Sequence, residues 1–488
     1  MSSMLLQLRR LDGPQRIFVG FVLLLLAGIA TAVLAEEPAA LLPGLALVGL
    51  LLVFIDWRWL YYLLFFMLAF SQEVGLPGGL SMDIPSEPLM LVLTACIFGG
   101  LLLGVARLPA HELRHPIIVI IVLMLLWACV DTFFSVDSTK SIKYLMAKVW
   151  YLTPFVLGTL LIARRPAQAW HFAAIYTAGA CLTALYVIAR HATKGFSFGS
   201  INWALSPFYR NHVAYATVLA LLFPFVLLGL QAARTRRGRI AWRIGMGLLL
   251  FGLLTSYTRA SILSLPIAGL FYWVVRLRLT KVALLAAALG AGGAAFYFMN
   301  ANNYMLYAPD FEKTVFNGKD FGKHLEATYN MQDVSGMERV YRWVAAARMI
   351  SEKPLVGSGP ATFYPEYKRF TVKSFRTYVS ENPEKSTTHN YFLLQLAEQG
   401  LPGFLLFALL LAVTLLSAER LYHQARDPDV RRVVLACCLS LIIIIFHLLL
   451  NELIEVDKIG SVFFVCLALL IRADTWVKEG NEQLTVSS

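Results

Sequence analysis

The chain has 488 residues, 58% of them apolar and 15% charged, with a mean hydropathy of +0.66. Such a composition excludes a set of soluble domains, because most of this chain finds its solvent in lipid. The net charge of +12 does not point to nucleic acid, since the arginines lie in short loops between hydrophobic stretches, where orientation in a membrane accounts for them.

Apolar stretches long enough for a hydrocarbon core begin near Ile17, Ala39, Trp57, Leu89, Ile117, Leu145, Trp170, Val213, Ile244, Ser261, Val282, Pro402, Val433 and Ile459, about fourteen in all. Those from Ile244 to Tyr257 and from Ile459 to Ile471 are short for a span, which makes about twelve the alternative total. Backbone polar groups have no partner in lipid and no dyad pattern of a barrel is present, so the expected fold is an all-α polytopic membrane protein. The first stretch lacks a small-residue cleavage pattern and is expected to remain in the membrane. Cys96, Cys129, Cys181, Cys437, Cys438 and Cys466 all fall inside expected spans and read as small packing residues, with no disulfide framework.

Short loops rich in arginine recur along the chain: Arg9 and Arg10, Arg58, Arg107 and Arg114, Arg164 and Arg165, Arg234 to Arg243, Arg276 to Lys281, and Arg420 to Arg432. The positive-inside rule makes these cytoplasmic. Alternation then places Glu36 to Pro38, Ser71 to Pro88, Val136 to Tyr144, Arg190 to Arg210, a tight turn near Arg259, and Glu452 to Lys458 outside, with both termini inside the cell. One loop differs in kind: Asn300 to Thr388 is about 90 residues long, far beyond ordinary connections, and its neighbours put it outside. The expected organisation is therefore N-terminal transmembrane helices over 1–299, a large external loop over 300–388 and C-terminal transmembrane helices over 389–488.

Within the large loop, Ser335 and Glu338 have the spacing of a capping box, and Val340, Trp343, Ala347 and Ile350 follow at helical spacing. The helix is expected to run to about Glu352 and to stop before Pro354, Gly357 and Gly359. Arg339 and Arg342 then sit together near its positive end, which suits an anion; a solvated basic face is the competing reading.

Arg259 lies between two apolar stretches at the membrane interface, where a lipid phosphate would lie. Its planar, permanently charged fork fits phosphate oxygens, while the alternative is an arginine that snorkels to the interface. Thr388-His389-Asn390 lies where the large loop returns to the membrane, ahead of Gly400, Pro402 and Gly403. Histidine exchanges a proton near neutral pH, so His389 is a candidate base, against the bland reading of a surface residue. Arg210, at the end of another external loop, could anchor at the interface or meet phosphate or glycan. Lys148, Glu398 and His447 lie within or near spans: Lys148 could snorkel outward and Glu398 could pair with an arginine.

Together these segments resemble the bacterial O-antigen ligase and O-antigen polymerase family of membrane glycan transferases. That family has an Arg-x-x-x-Leu motif after a span, matched by Arg259 to Leu263. It has an Arg-x-x-x-Trp segment with a downstream Pro-x-x-Gly-x-Gly in its large periplasmic loop, matched by Arg339 to Trp343 with Pro354, Gly357 and Gly359. A His-Asn/Ser/Gln, then nine residues, then Gly, closes the set as His389, Asn390 and Gly400. The motifs cover roughly Asn211 to Gly403, and the rest of the chain resembles the family only in hydropathy.

The resemblance implies a GT-C-like membrane enzyme in the bacterial inner membrane. It would transfer a glycan from undecaprenyl pyrophosphate to an acceptor sugar hydroxyl on the periplasmic face, without metal or other cofactor. A ligase hands the glycan to lipid A core; a polymerase, for O-antigen, capsule or exopolysaccharide, extends a second lipid-linked glycan. A pyrophosphate leaving group gains negative charge in the transition state, and Arg259 and Arg339, with Arg342 behind them, are the groups placed to stabilise it. No Asp-x-Asp or His/Cys ligand cluster stands in an external loop, which fits a metal-free reaction. His389 would accept or orient the acceptor proton, with Asn390 and Arg210 as further contacts to substrate.

Two readings from other classes compete. A flippase or secondary transporter ordinarily carries internal repeats, which the two halves lack, and has little use for so long a loop on one side. A membrane scaffold would leave the arginine and histidine placements as coincidence.

Overall fold

The fold is given by a computed structural model that describes residues 56–76, 80–300, 303, 334–372 and 387–487, with scattered residues between 15 and 31. The span expected near Ala39, and much of the large loop, lie outside the described residues.

The chain is an all-α polytopic membrane protein. Helix α1 covers 56–68, and strands β1 (Gln72–Leu76) and β2 (Leu80–Ile84) follow. The helices after them are α2 (Ser86–Leu102), α3 (Pro116–Thr132), α4 (Ser138–Ile162), α5 (Pro166–Ala192), α6 (His212–Ala232), α7 (Arg236–Thr255), α8 (Arg259–Arg276) and α9 (Thr280–Met299). The large loop contributes α10 (Val334–Glu352), and α11 (Tyr391–Gln424), α12 (Pro428–Leu448) and α13 (Asp457–Ser487) complete the order. Among the described residues, eight helices are long and apolar enough to cross a membrane: α4 to α7, α9 and α11 to α13. Helices α2 and α3 are apolar but have only 17 residues each.

The two stretches that looked short for a span are helices of ordinary length, because their charged flanks continue the helix. Helix α7 takes in the basic run from Arg236 to Arg243, and α13 continues past Ile471 through Arg472. Long basic side chains reach water from a helix end while their stems stay in the apolar zone, so charge there does not end the helix. At Thr153–Gly158 the α4 helix widens into a π turn at Pro154, which cannot donate to the preceding turn.

The apolar stretch of α13 is wholly buried and that of α9 faces outward beyond the buried Thr280, so the core lies around α6, α12 and α13. The contacts separate into two ends that agree with the charge pattern. At the arginine-rich end, Arg234 meets Asp429 at 3.2 Å, the Thr280 amide donates to Glu419, and the Trp476 indole donates to the Arg164 carbonyl. Arg472 is buried there against Glu112 and the Leu160 carbonyl. At the other end the loops expected outside touch one another: Arg210 stands 4.0 Å from Glu73, the Val136 amide donates to Ser358, and the Tyr257 hydroxyl donates to Phe196.

The segment from Ser71 to Pro88, read only as a loop, contains an antiparallel hairpin with Gln72 opposite Ile84. Lys458, at the start of α13, pins it: the buried ammonium donates to the Ser71 carbonyl at 2.7 Å and to the Ala69 and Phe208 carbonyls, while Asp457 accepts from Ser86. A fully buried ammonium persists because carbonyl oxygens replace its water shell.

Candidate active site

The three segments singled out in the sequence meet at the arginine-poor end. Helices α7 and α8 are joined only by Ser256 to Thr258, and Tyr257 takes a left-handed conformation (φ 57°) to make so tight a reversal. Arg259 is thus the first residue of α8, half-buried, at the positive pole of that helix. The Thr258 hydroxyl donates to the His212 carbonyl at 3.1 Å, which ties this turn to the segment carrying Arg210. Arg210 itself is largely exposed near Glu73.

From Arg259 the contacts lead through α12. His447 is fully buried; its Nδ1 lies 2.8 Å from the Ile443 carbonyl and must carry a proton, so Nε2 accepts from Ser261 at 2.9 Å. The His447 carbonyl accepts from the Asn451 amide at 2.8 Å, and the turn so formed presents Glu452. The Asn390 carboxamide donates to the Leu449 carbonyl at 3.2 Å on the same turn. Residue 259 and residue 390 therefore share a single intervening element, and His447, one of the unassigned ionisable residues, is a fully satisfied link between helices.

Helix α10 supplies the third segment. The Trp343 indole donates to the Thr388 carbonyl at 2.9 Å, and Arg342 reaches the Thr387 carbonyl at 3.4 Å and Glu338 at 3.4 Å. The Arg-x-x-x-Trp motif thus grips the backbone immediately before His389. A Trp343→Phe protein keeps the ring and loses the donor, a change of about 1 kcal/mol, so transfer is expected to fall roughly fivefold in a steady-state assay. Activity equal to the parent's would mean that this bond does not hold the turn.

The glycines find their reason here. The Pro354 to Gly359 segment lies backbone to backbone on the end of the His389 to Gly400 segment. The amides of Ser358 and Gly359 donate to Ala397 and Glu398 at 3.0 and 2.8 Å, and Leu401 donates to Pro354 at 2.8 Å. Gly357, Gly359 and Gly400 all have positive φ, and a Cβ on them would strike the Glu398 carbonyl, Ser135 and the Leu355 carbonyl respectively. Helix α11 kinks at Gly400, so the part before it, Tyr391 to Gln399, leans over the loop.

Three expectations are corrected. Helix α10 already includes Val334 and Ser335, and Glu338 turns to Arg342 one turn on, so the pair does not act as an N-terminal cap as read. Glu398 pairs with no arginine among the described residues; its carboxylate accepts the Ala361 and Phe363 amides at 3.0 and 2.8 Å and anchors the short helix Phe363–Tyr367. Lys148 does not snorkel: it pairs with Glu455 at 2.7 Å, and Glu455 also accepts from the Tyr391 hydroxyl at 2.9 Å. The Asn390 side chain, expected at the substrate, also caps the Phe392 and Leu393 amides and donates to the Leu449 carbonyl.

His389 has φ 51°, in the left-handed region, which is uncommon for non-glycine residues and which histidine enters more readily than most. Burial pushes its pKa below the ordinary value of 6.5; Glu452 pulls it back up, and Arg342 and Arg339 press it down. The imidazole is therefore neutral at neutral pH and able to accept a proton. Sequence reasoning missed Glu452, 3.9 Å from His389 Nδ1. The turn from Glu452 to Lys458 was read only for sidedness, although it carries Glu452, Glu455 and Asp457, which was the available signal.

The fold and this site define a polytopic helical membrane protein with arginines and a histidine gathered at the end away from its basic loops. Residues 244–408 match the family model described as O-antigen ligase, and the stretch runs from α7 through Arg259, Arg339, Arg342, His389 and Gly400 into α11. The match bears out the resemblance over that stretch and supports glycan transfer of the ligase or polymerase type. No curated protein matches.

Proposed function

We propose that this protein transfers a glycan from undecaprenyl pyrophosphate to an acceptor sugar hydroxyl at the periplasmic face of the bacterial inner membrane, as a metal-independent glycosyltransferase of the O-antigen ligase type. Arg259 and Arg339 bind the diphosphate, Arg210 extends the basic rim, and Arg342 and Asn390 hold the His389 turn. The observation that carries this reading is the convergence of three motif segments, joined through Trp343 to Thr388, Gly359 to Glu398, and Ser261 through His447 to the Glu452 turn.

As the bond from the anomeric carbon to the diphosphate breaks, its electron pair leaves with the diphosphate, and fixed guanidinium groups at the low-dielectric interface stabilise that charge without reorganising. His389 takes the proton of the attacking hydroxyl. The same donor site serves a ligase, whose acceptor is lipid A core, and a polymerase, whose acceptor is a second lipid-linked glycan.

The test is transfer between lipid-linked donor and acceptor by purified protein in detergent, with no sealed compartment. The parent is expected to be active, with an acid limb below the ordinary histidine value because burial favours neutral His389. A His389→Ala protein is expected to lose about 10²-fold or more. Parental rates for His389→Ala, or activity only across sealed vesicles, would overturn the reading, the second in favour of a transporter.

A further inference from the structure

We propose that Glu452 is the positioning residue for His389, holding the imidazole with Nδ1 protonated and Nε2 turned toward the acceptor hydroxyl. The inference rests on His389 being the proton acceptor and adds the group that sets its tautomer and its charge.

Nδ1 of His389 and Oε2 of Glu452 stand 3.9 Å apart. Both atoms are shut off from solvent, and neither has a hydrogen-bond partner. A buried carboxylate oxygen and a buried ring nitrogen each lose free energy when left unmade. One contact removes both deficits, and closing it needs a shift of about 1 Å to reach ordinary hydrogen-bond length.

The surroundings favour this pairing. Arg342 is already committed to Glu338 and to the Thr387 carbonyl. The Glu452 backbone is fixed at both sides, through Asn451 to His447 and by the Glu455 amide donating to its carbonyl at 3.1 Å. His389 sits in the left-handed region, uncommon for a residue other than glycine, so the turn fixes the direction of its side chain. The charged and titratable groups that face the imidazole are Glu452 from the turn and Arg339 and Arg342 from α10, with the Asn451 side chain hydrogen-bonded to the ring. Glu452 is the only anion in that set.

In the transfer step the hydroxyl proton passes to Nε2 as the oxygen bonds to the anomeric carbon and the diphosphate departs with its electron pair. The imidazolium that results has two arginines as neighbours, and the Glu452 carboxylate offsets their repulsion until the proton passes to solvent. The same turn is tied through His447 to Ser261, two residues from Arg259. Base and phosphate ligand are thereby set by a single element.

The experiment measures kcat, KM and pH profile in the detergent assay for Glu452→Gln, Glu452→Asp, His389→Ala and the His389→Ala/Glu452→Gln pair. Glu452→Gln is expected to lower kcat about 10²-fold with little change in KM. Its acid limb should move to lower pH, because an imidazolium without its anion ionises more easily. Glu452→Asp should restore much of the rate, and the double variant should be no slower than His389→Ala. An unmoved acid limb with equal losses in the Gln and Asp proteins, or additive losses in the double variant, would overturn the role of Glu452. If His389→Ala is inactive and Glu452→Gln is parental, this inference falls and the proposed function stands. If His389→Ala is itself parental, the proposed function falls.

Discussion

An Arg259→Lys protein that inserts normally and melts like the parent is expected to transfer glycan about 10²-fold more slowly, near the loss seen when one fixed donor to a developing oxyanion is removed. Lysine preserves the charge, so a requirement for charge balance at the interface would be met by it. What lysine lacks is the planar fork: five donors in a rigid array can take two phosphate oxygens at once, and a single ammonium cannot. Arg259 is suited to show the difference because it opens α8, where the positive helix pole adds to its field, and because the turn before it is fixed by Thr258 on His212. The measurement is a steady-state rate at saturating donor beside a thermal melt in detergent. A rate for the Arg259→Lys protein within a factor of about two of the parent's would return Arg259 to the role of an interfacial anchor.

The second large effect concerns Gly400→Ala, which should lower stability as well as rate. Gly400 has φ 63° and ψ −169°, a region open almost only to glycine, and the backbone strain alone costs about 1–3 kcal/mol. The added Cβ would overlap the Leu355 carbonyl and come within 2.8 Å of the Val356 amide, for a further cost of about 1–3 kcal/mol. Relief requires the loop to lift off α11, which breaks the bonds from Leu401 to Pro354 and from Gly359 to Glu398. A lower melting temperature, faster proteolysis of the loop and loss of transfer are expected together. Gly99→Ala is the control, since no atom stands within 4 Å of its would-be Cβ, and it should melt like the parent. A Gly400→Ala protein with parental melting would show that loop and helix are not docked as described.

The membrane class and the motif residues were legible because each depends on local chemistry. Long apolar runs need lipid, a permanently charged fork suits phosphate, and closely spaced glycines mark a backbone under constraint. Why those glycines are needed was not legible, because Gly357 and Gly400 are crowded by one another's segments across the loop. For the same reason Glu398, read as a partner for arginine, instead binds two amides of the Phe363 helix, which only the docked loop brings near. Lys148 and Glu455 are far apart in the chain, and neither announces the other. The flanks of α7 and α13 misled in the opposite way, since charge within the helix was read as its end. Glu452 was seen as a loop acid and passed over, because its meaning depends on the imidazole beside it.

A diphosphate site at the arginine-poor end is the claim on which the mechanism turns, and structure determination by cryo-electron microscopy with a polyprenyl diphosphate analogue tests it most directly. Density for the two phosphates is expected between the start of α8 and the 387–390 turn, with the Arg259 and Arg339 guanidinium groups in hydrogen-bond reach and His389 Nε2 facing the position of the anomeric carbon. Diphosphate density among the basic loops at the opposite end, or at a place that Arg259 cannot reach, would contradict it.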